Sequence, residues 1–169
     1  VCGALSAKGQ EKRIPDHRFE SVKASIICIG NRFVSEDAAG LLVYDRLQAM
    51  QPLPAGIRPV EGGLAGLNLL PLLEQGGRVV FVDAVAGFGQ PGEIVLLDQQ
   101  EILGASDAVR FDHGAGLPYV LAVLPGVCEG ELPEEIVLLG LEGECTPSII
   151  EQAARMSLAI AAHGLKGLG

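Results

Sequence analysis

The sequence predicts an α/β fold: a three-layer α/β/α arrangement around a mostly parallel, twisted sheet with an antiparallel edge strand. Three observations carry this expectation. Short apolar runs of strand length, "ASIICI", "RVVFVDAV" and "EEIVLLGL", recur along the chain. They are almost continuously apolar rather than alternating, the pattern of strands buried on both faces. Between them lie segments with apolar residues at helical spacing, and strands alternating with helices build a parallel sheet covered on both sides.

Each element follows from local chemistry. "ASIICIG" reads as a first strand closed by Gly30. Asp37–Met50 reads as a helix, with Val43, Leu47 and Met50 on one face, and "QPLPAG" ends it. "IRPVE" is a short second strand, and "GGLAGLNLLPLLEQGG" is expected to be helical between its glycines, with a kink or late restart at Pro71. "RVVFVDAV" is the third strand and "GQPG" a turn. "EIVLLD" then reads as the antiparallel edge, because it follows the third strand so closely. A loop through Asp107–His113 leads to a helix over Gly116–Leu124, and "EEIVLLGL" is the last strand. The final helix opens at Thr146 as N-cap with Pro147 at its first position. Ile149, Ala153, Met156 and Ile160 form its apolar face and Gly164 stops it.

A chain of 169 residues with 49% hydrophobic and 20% charged residues is globular and long enough to bury a substantial core. Residues 1–22 are polar and aperiodic and read as an N-terminal extension; residues 23–169 read as a single α/β domain. A net charge of -9 argues against a nucleic-acid partner, which needs clustered Lys and Arg. No apolar run approaches the roughly 20 residues of a membrane span, so no membrane insertion is expected. The four cysteines are far apart and form no C-x-x-C pair, which excludes a zinc ribbon or thioredoxin motif. With no charged-then-apolar leader at Val1, a cytoplasmic protein is expected.

Several site chemistries are absent. "CIGN" follows a strand but lacks G-x-G-x-x-G, and there is no G-x-x-x-x-G-K-[ST] or G-x-S-x-G. Cys28 lies inside an apolar strand, where burial raises a thiol's pKa and leaves it inert. Three groups remain. In "GNRFVSEDAAG", Ser35 as N-cap with Glu36 and Asp37 behind it is ordinary helix-start chemistry, and equally a carboxylate pair at the end of a strand. Asp83 interrupts the third strand at its carboxyl end, where a buried acid must be hydrogen-bonded or used. His113, beside Asp112, is the one histidine placed for a site; His17 is in the extension and His163 closes the last helix. In open α/β sheets ligands collect at the carboxyl ends of the strands, where Asp37, Asp83 and His113 could meet.

Four segments in order resemble the endopeptidases that mature nickel–iron hydrogenases. "IGNRFVSEDAAG" is similar to their strand end, acid pair and small-residue turn. "VEGGLAGLNLLPLLEQGGRVVFVDAVAGFGQPGEIVLL" resembles their central stretch, "DHGAGLPYVLAVL" their histidine loop and helix, and "LPEEIVLLGLEGE…TPSIIEQAA" their closing strand and helix. Together these cover about Ala24–His163.

The resemblance implies a metal-dependent endopeptidase. It would recognise nickel in the precursor of a hydrogenase large subunit and remove that subunit's C-terminal peptide. It implies Asp37, Asp83 and His113 as metal ligands and as the catalytic residues, with Glu36 as the other acid of the pair. The implied ion is nickel, brought by the substrate or held by the enzyme, and zinc or cadmium could take its place. The competing reading is a non-proteolytic metal-binding maturation partner that retains the same pocket. Three features depart from the family pattern: Cys28 in place of a glycine, "FDH" before the histidine loop, and the extension.

Overall fold

The structure is a computed structural model and describes residues 22–64, 66–105, 110–111 and 116–168. The expected extension, residues 1–22, lies outside the described residues apart from Val22.

All six residues of β1 (Ala24–Ile29) are buried, as its continuous apolar run requires. Beside it run β2 (Ile57–Gly63), β3 (Arg78–Ala86), β6 (Glu135–Glu142) and β4 (Ile94–Asp98), in the order β2-β1-β3-β6-β4. The β2–β1, β1–β3 and β3–β6 pairs are parallel, whereas β4 is antiparallel to β6. The antiparallel edge is therefore present, but β4 pairs with β6 and not with the β3 strand it follows in sequence. Both sides of β3 are already taken: β6 matches it from Arg78 to Val85, and β1 from Arg78 to Val82. A short β5 (Arg110–Phe111) joins β3 antiparallel at Val85 and Ala86. Since β6 holds the other side, β5 occupies the β1 side of β3, beyond the end of β1. Pro59, which removes a ladder donor, falls on the edge strand β2, where that loss is tolerated.

Helices cover both faces. α1 (Ala39–Ala49) and α5 (Pro147–His163) bury Leu41, Val43, Leu47, Ala153 and Ile160 against Ile26, Cys28, Val80, Val82 and Leu139. On the opposite face, α2 (Leu70–Leu73), α3 (Gln99–Gly104) and α4 (Gly116–Val127) bury Leu73, Ile102, Leu117, Leu121 and Leu124 against Ile27, Ile29, Phe81 and Leu138. Each fully buried Val, Leu, Ile or Phe side chain among these contributes on the order of 1.5–3 kcal/mol. α5 begins as its sequence indicates: the Thr146 side chain accepts from the Ile149 N–H, Pro147 takes the first turn, and Gly164 ends it at φ 76°. Among the described residues no helix is long and apolar enough to cross a membrane.

Three local expectations change. The acid pair does not open the long helix: Ser35–Asp37 form a separate 3-10 turn without a side-chain cap, and α1 starts at Ala39. "GGLAGLNLLPLLEQGG" is not one helix. Its first glycines extend β2, and among its described residues only Leu67–Leu69 (3-10) and α2 are helical, with Pro71 in the first turn of α2. Glycine disfavours helix, and Gly76 and Gly77, at φ 67° and 69°, stop the restart. α3 was not anticipated, although Asp98 and Glu101 form a reciprocal capping box with both bonds at 2.8 Å.

Candidate active site at the carboxyl edge of the sheet

The carboxyl ends of β1, β2, β3 and β6 share one edge. At that edge β1 leaves the sheet through Gly30, whose N–H donates to the Gly63 carbonyl at the end of β2 (2.9 Å). The chain then closes a compact loop. Asn31 N–H donates to the Asp37 carbonyl (3.0 Å), Val34 N–H to Asn31 O (3.1 Å) and Asp37 N–H to Val34 O (3.0 Å). Gly30 is required there. Its φ is 154°, and a Cβ would strike the Asp37 carbonyl oxygen.

Arg32 anchors the loop from outside. It forms a bidentate pair with Asp45 of α1 (2.7 and 3.0 Å) and reaches Glu61 of β2 (3.2 Å). The hydrogen bond from Arg32 holds the Asp45 carboxyl below the usual carboxylate range.

This loop separates the acid pair. Glu36 is exposed, whereas Asp37 is only 5% exposed. Gly40 sets the depth at which the following helix sits, since a Cβ there would meet the carbonyl oxygens of both Ile29 and Val82. α1 therefore starts directly on the backbones of β1 and β3, and the 3-10 turn that carries Asp37 packs against β3.

Asp83 follows Val82 and is 1% exposed. Strand alternation puts it on the same face as Phe81 and Val85. Pairing with β1 stops at Val82 and pairing with β5 starts at Val85, so Asp83 lies in the interval between those two strands. Two buried carboxylates thus reach the same sheet edge, one from the turn after β1 and one from its neighbouring strand β3. His113, the third expected member, lies outside the described residues, as does Asp112; β5 ends two residues before His113. Among the described residues no group of three His, Cys, Asp or Glu side chains could hold a metal.

A cavity of about 640 Å³ opens beside this edge, lined by Ser35, Glu36, Leu42, Ala86, Glu142 and Cys145 among others. Its size falls within the range of small-molecule pockets. Glu142 had not been singled out, although an acid closing "EEIVLLGLE" parallels Asp83 in "RVVFVD". It is 7% exposed and accepts hydrogen bonds from the backbone N–H groups of Gly87 and Phe88. Cys28 is fully buried; burial, with Glu61, Asp45 and Asp83 adding to it, pushes its thiol far above the usual range. A nucleophilic role for this cysteine is excluded.

The model of the hydrogenase maturation protease family matches residues 41–162. The chain belongs to that family. Among its relatives, the hydrogenase expression/formation protein HupD of Rhodobacter capsulatus is 29% identical over 136 residues, covering 79% of this chain and 61% of that protein. The hydrogenase 2 maturation protease of Escherichia coli is 26% identical over 117 residues, covering 69% of this chain and 70% of that protein. The match thus spans about three fifths of the length of the Rhodobacter relative.

Solved structures of the family share the fold. The hydrogenase maturating endopeptidase HybD from E. coli superposes with a TM-score of 0.65 at 23% identity, over 87% of this chain and 94% of that one. The [NiFe] hydrogenase maturation protease HycI from Thermococcus kodakarensis KOD1 gives 0.58 at 27% identity, over 83% and 91%. The family's mostly parallel sheet with one antiparallel edge is the sheet seen here.

Proposed function

We propose that this chain is a hydrogenase maturation endopeptidase that recognises nickel in the precursor of a hydrogenase large subunit and removes its C-terminal peptide. One observation carries the reading most: Asp37 and Asp83, both buried, stand at the sheet edge where an open cavity is lined by Glu36, next to Asp37, and by Val85, two residues from Asp83, in a chain of this family. The carboxyl edge of an open α/β sheet is where such folds collect their ligands, and both carboxylates stand there.

The donor set suits a divalent cation. Carboxylate oxygens supply hard donors and an imidazole nitrogen a borderline one, a combination that takes nickel and also zinc or cadmium. On this reading Asp37, Asp83 and His113 would hold the ion, and Glu36, exposed at the cavity rim, would not. Such an ion supplies Lewis-acid polarisation of a carbonyl or activation of water. The chain's own residues do the rest. The Arg32-anchored loop presents Asp37 in one orientation, the β3 ladder fixes Asp83, and the cavity between Glu36 and Cys145 receives the extended precursor segment. Nickel already bound in the precursor is part of the substrate.

The test is incubation of the purified protein with a nickel-loaded large-subunit precursor, followed by intact mass spectrometry. Loss of a C-terminal peptide is expected, and no loss with nickel-free precursor. Binding of the precursor without cleavage would instead identify a non-proteolytic maturation partner.

A further inference from the structure

Glu142 is a buried carboxylate to which the site chemistry above gives no role. It closes β6, and its two oxygens divide between neighbouring donors: Oε1 accepts the Gly87 N–H at 2.8 Å and Oε2 the Phe88 N–H at 3.1 Å. Successive backbone N–H groups of this kind form a small concavity that receives an anion, and Gly87, at φ 90°, supplies the backbone turn that aims them. The backbone of Glu142 secures the other end of the same connection. Its N–H donates to the Glu93 carbonyl (3.0 Å) and its carbonyl accepts from the Gly92 N–H (2.7 Å). One residue therefore fastens the β3–β4 connection at both ends.

The consequence falls on β3. Val85 is matched with Glu142 on one side and with Phe111 of β5 on the other. A carboxylate clamped on Gly87 and Phe88 keeps the last residues of β3 from peeling away from β6. It thereby holds the Val85–Ala86 edge on which β5 pairs, and it fixes the height at which Asp83 stands. A neutral side chain cannot do the same. Glutamine offers one acceptor oxygen and turns an NH₂ group against the second N–H, while an apolar residue removes the acceptor from both donors.

We infer that Glu142 is a positioning residue for the Asp83 end of the site: its carboxylate is engaged by the Gly87 and Phe88 N–H groups, and it sets the geometry of the strand end that carries Asp83 and pairs with β5. The inference rests on the endopeptidase reading for its effect on turnover, and on the structure alone for its effect on the strand.

Glu142→Gln separates the two. As a control for stability, Ile160→Val removes one methylene from the fully buried core of α5, next to Ala161, whose carbonyl accepts from Arg78 at the opposite edge of the sheet. In Glu142→Gln, amide exchange across residues 83–88 should quicken by about tenfold or more while β1 and α1 keep their protection. kcat on nickel-loaded precursor should fall by about tenfold or more with KM changed less than about twofold. Ile160→Val, at a similar melting temperature, should keep wild-type kcat.

Unchanged exchange over residues 83–88 in Glu142→Gln overturns the inference. So does a kcat loss no larger than that of Ile160→Val at equal stability, which marks a merely structural clamp. If the wild-type protein cleaves no precursor while exchange at residues 83–86 responds as stated, the endopeptidase reading falls and the positioning of Asp83 stands.

Discussion

Gly40→Ala is the substitution that best probes how the site is assembled. Helix propensity alone favours it, since alanine is preferred over glycine inside a helix by up to about 1 kcal/mol. The structure predicts the opposite sign. The new Cβ would meet the Val82 carbonyl oxygen at 2.6 Å, the Ile29 carbonyl carbon at 3.1 Å and the Ile29 oxygen closer still. These are backbone atoms of β1 and β3, held in the sheet, so no flexible side chain can give way. Overpacking of a rigid core costs about 1–3 kcal/mol, and here the upper end applies. Set against the propensity gain, the net loss is about 2 kcal/mol, a fall of roughly 4–8 °C in melting temperature for a chain of this size.

α1 can relieve the clash only by lifting off the two strands, which carries Asp37 away from Asp83. Processing should therefore fall further than stability explains. Gly126→Ala in α4 is the control: its Cβ would meet no heavy atom within 4 Å, so it should raise stability by up to about 1 kcal/mol. Thermal unfolding followed by circular dichroism reads both. A Gly40→Ala protein that melts at or above the wild-type temperature would refute the claim that this contact sets the position of α1.

Other outcomes follow from the same geometry. Asp37→Asn and Asp83→Asn should each lower single-turnover cleavage of nickel-loaded precursor by about 100-fold or more, whereas Glu36→Gln should stay within about threefold; a dead Glu36→Gln beside a live Asp37→Asn would assign the wrong acid. The Asp45 carboxyl is held down by Arg32, so its pairing contributes above its unfolded pKa of about 3.9 and is lost as pH falls through the lower folded value. Amide protection in residues 31–37 should thus be flat from about pH 8 to 5 and drop only below about pH 4; a change near neutrality would contradict the anchoring role of Arg32. Cys28 should resist iodoacetamide in the native protein at about pH 8 and react once urea unfolds it, because burial keeps it a thiol. Rapid native labelling at Cys28 would show the β1 core to be open.

The fold was legible where one signal dominated. Continuous apolar runs announced β1, β3 and β6, and Thr146–Pro147 with Gly164 marked both ends of α5. It was less legible where competing signals met. In "GGLAGLNLLPLLEQGG" the leucines recur at helical spacing, yet the leading glycines extend β2, and among the described residues helix is confined to Leu67–Leu73. The partner of β4 could not be read from its nearness to β3 in sequence, because β6 reaches β3 from far along the chain.

The candidate site divides in the same way. Asp83 was conspicuous as an acid inside an apolar run, and its burial follows from that run. Glu36 and Asp37 were indistinguishable by local chemistry, because a helix start welcomes both. Burial tells them apart, and burial depends on how Gly30 and Gly40 let the backbone close, a tertiary property. Glu142 was overlooked because its partners are backbone N–H groups more than 50 residues away, which no local spacing reveals.

The claim at the centre of this account is that Asp37 and Asp83 act as one unit. The measurement that tests it most directly is a double-mutant cycle on single-turnover cleavage of nickel-loaded precursor, using Asp37→Asn, Asp83→Asn and both together. If the two carboxylates serve one centre, the double variant should be no slower than the slower single variant, within about threefold, because either loss already disables that centre. Losses that multiply, with the double variant slower by the product of the two single effects, would mean two independent sites and would contradict the account.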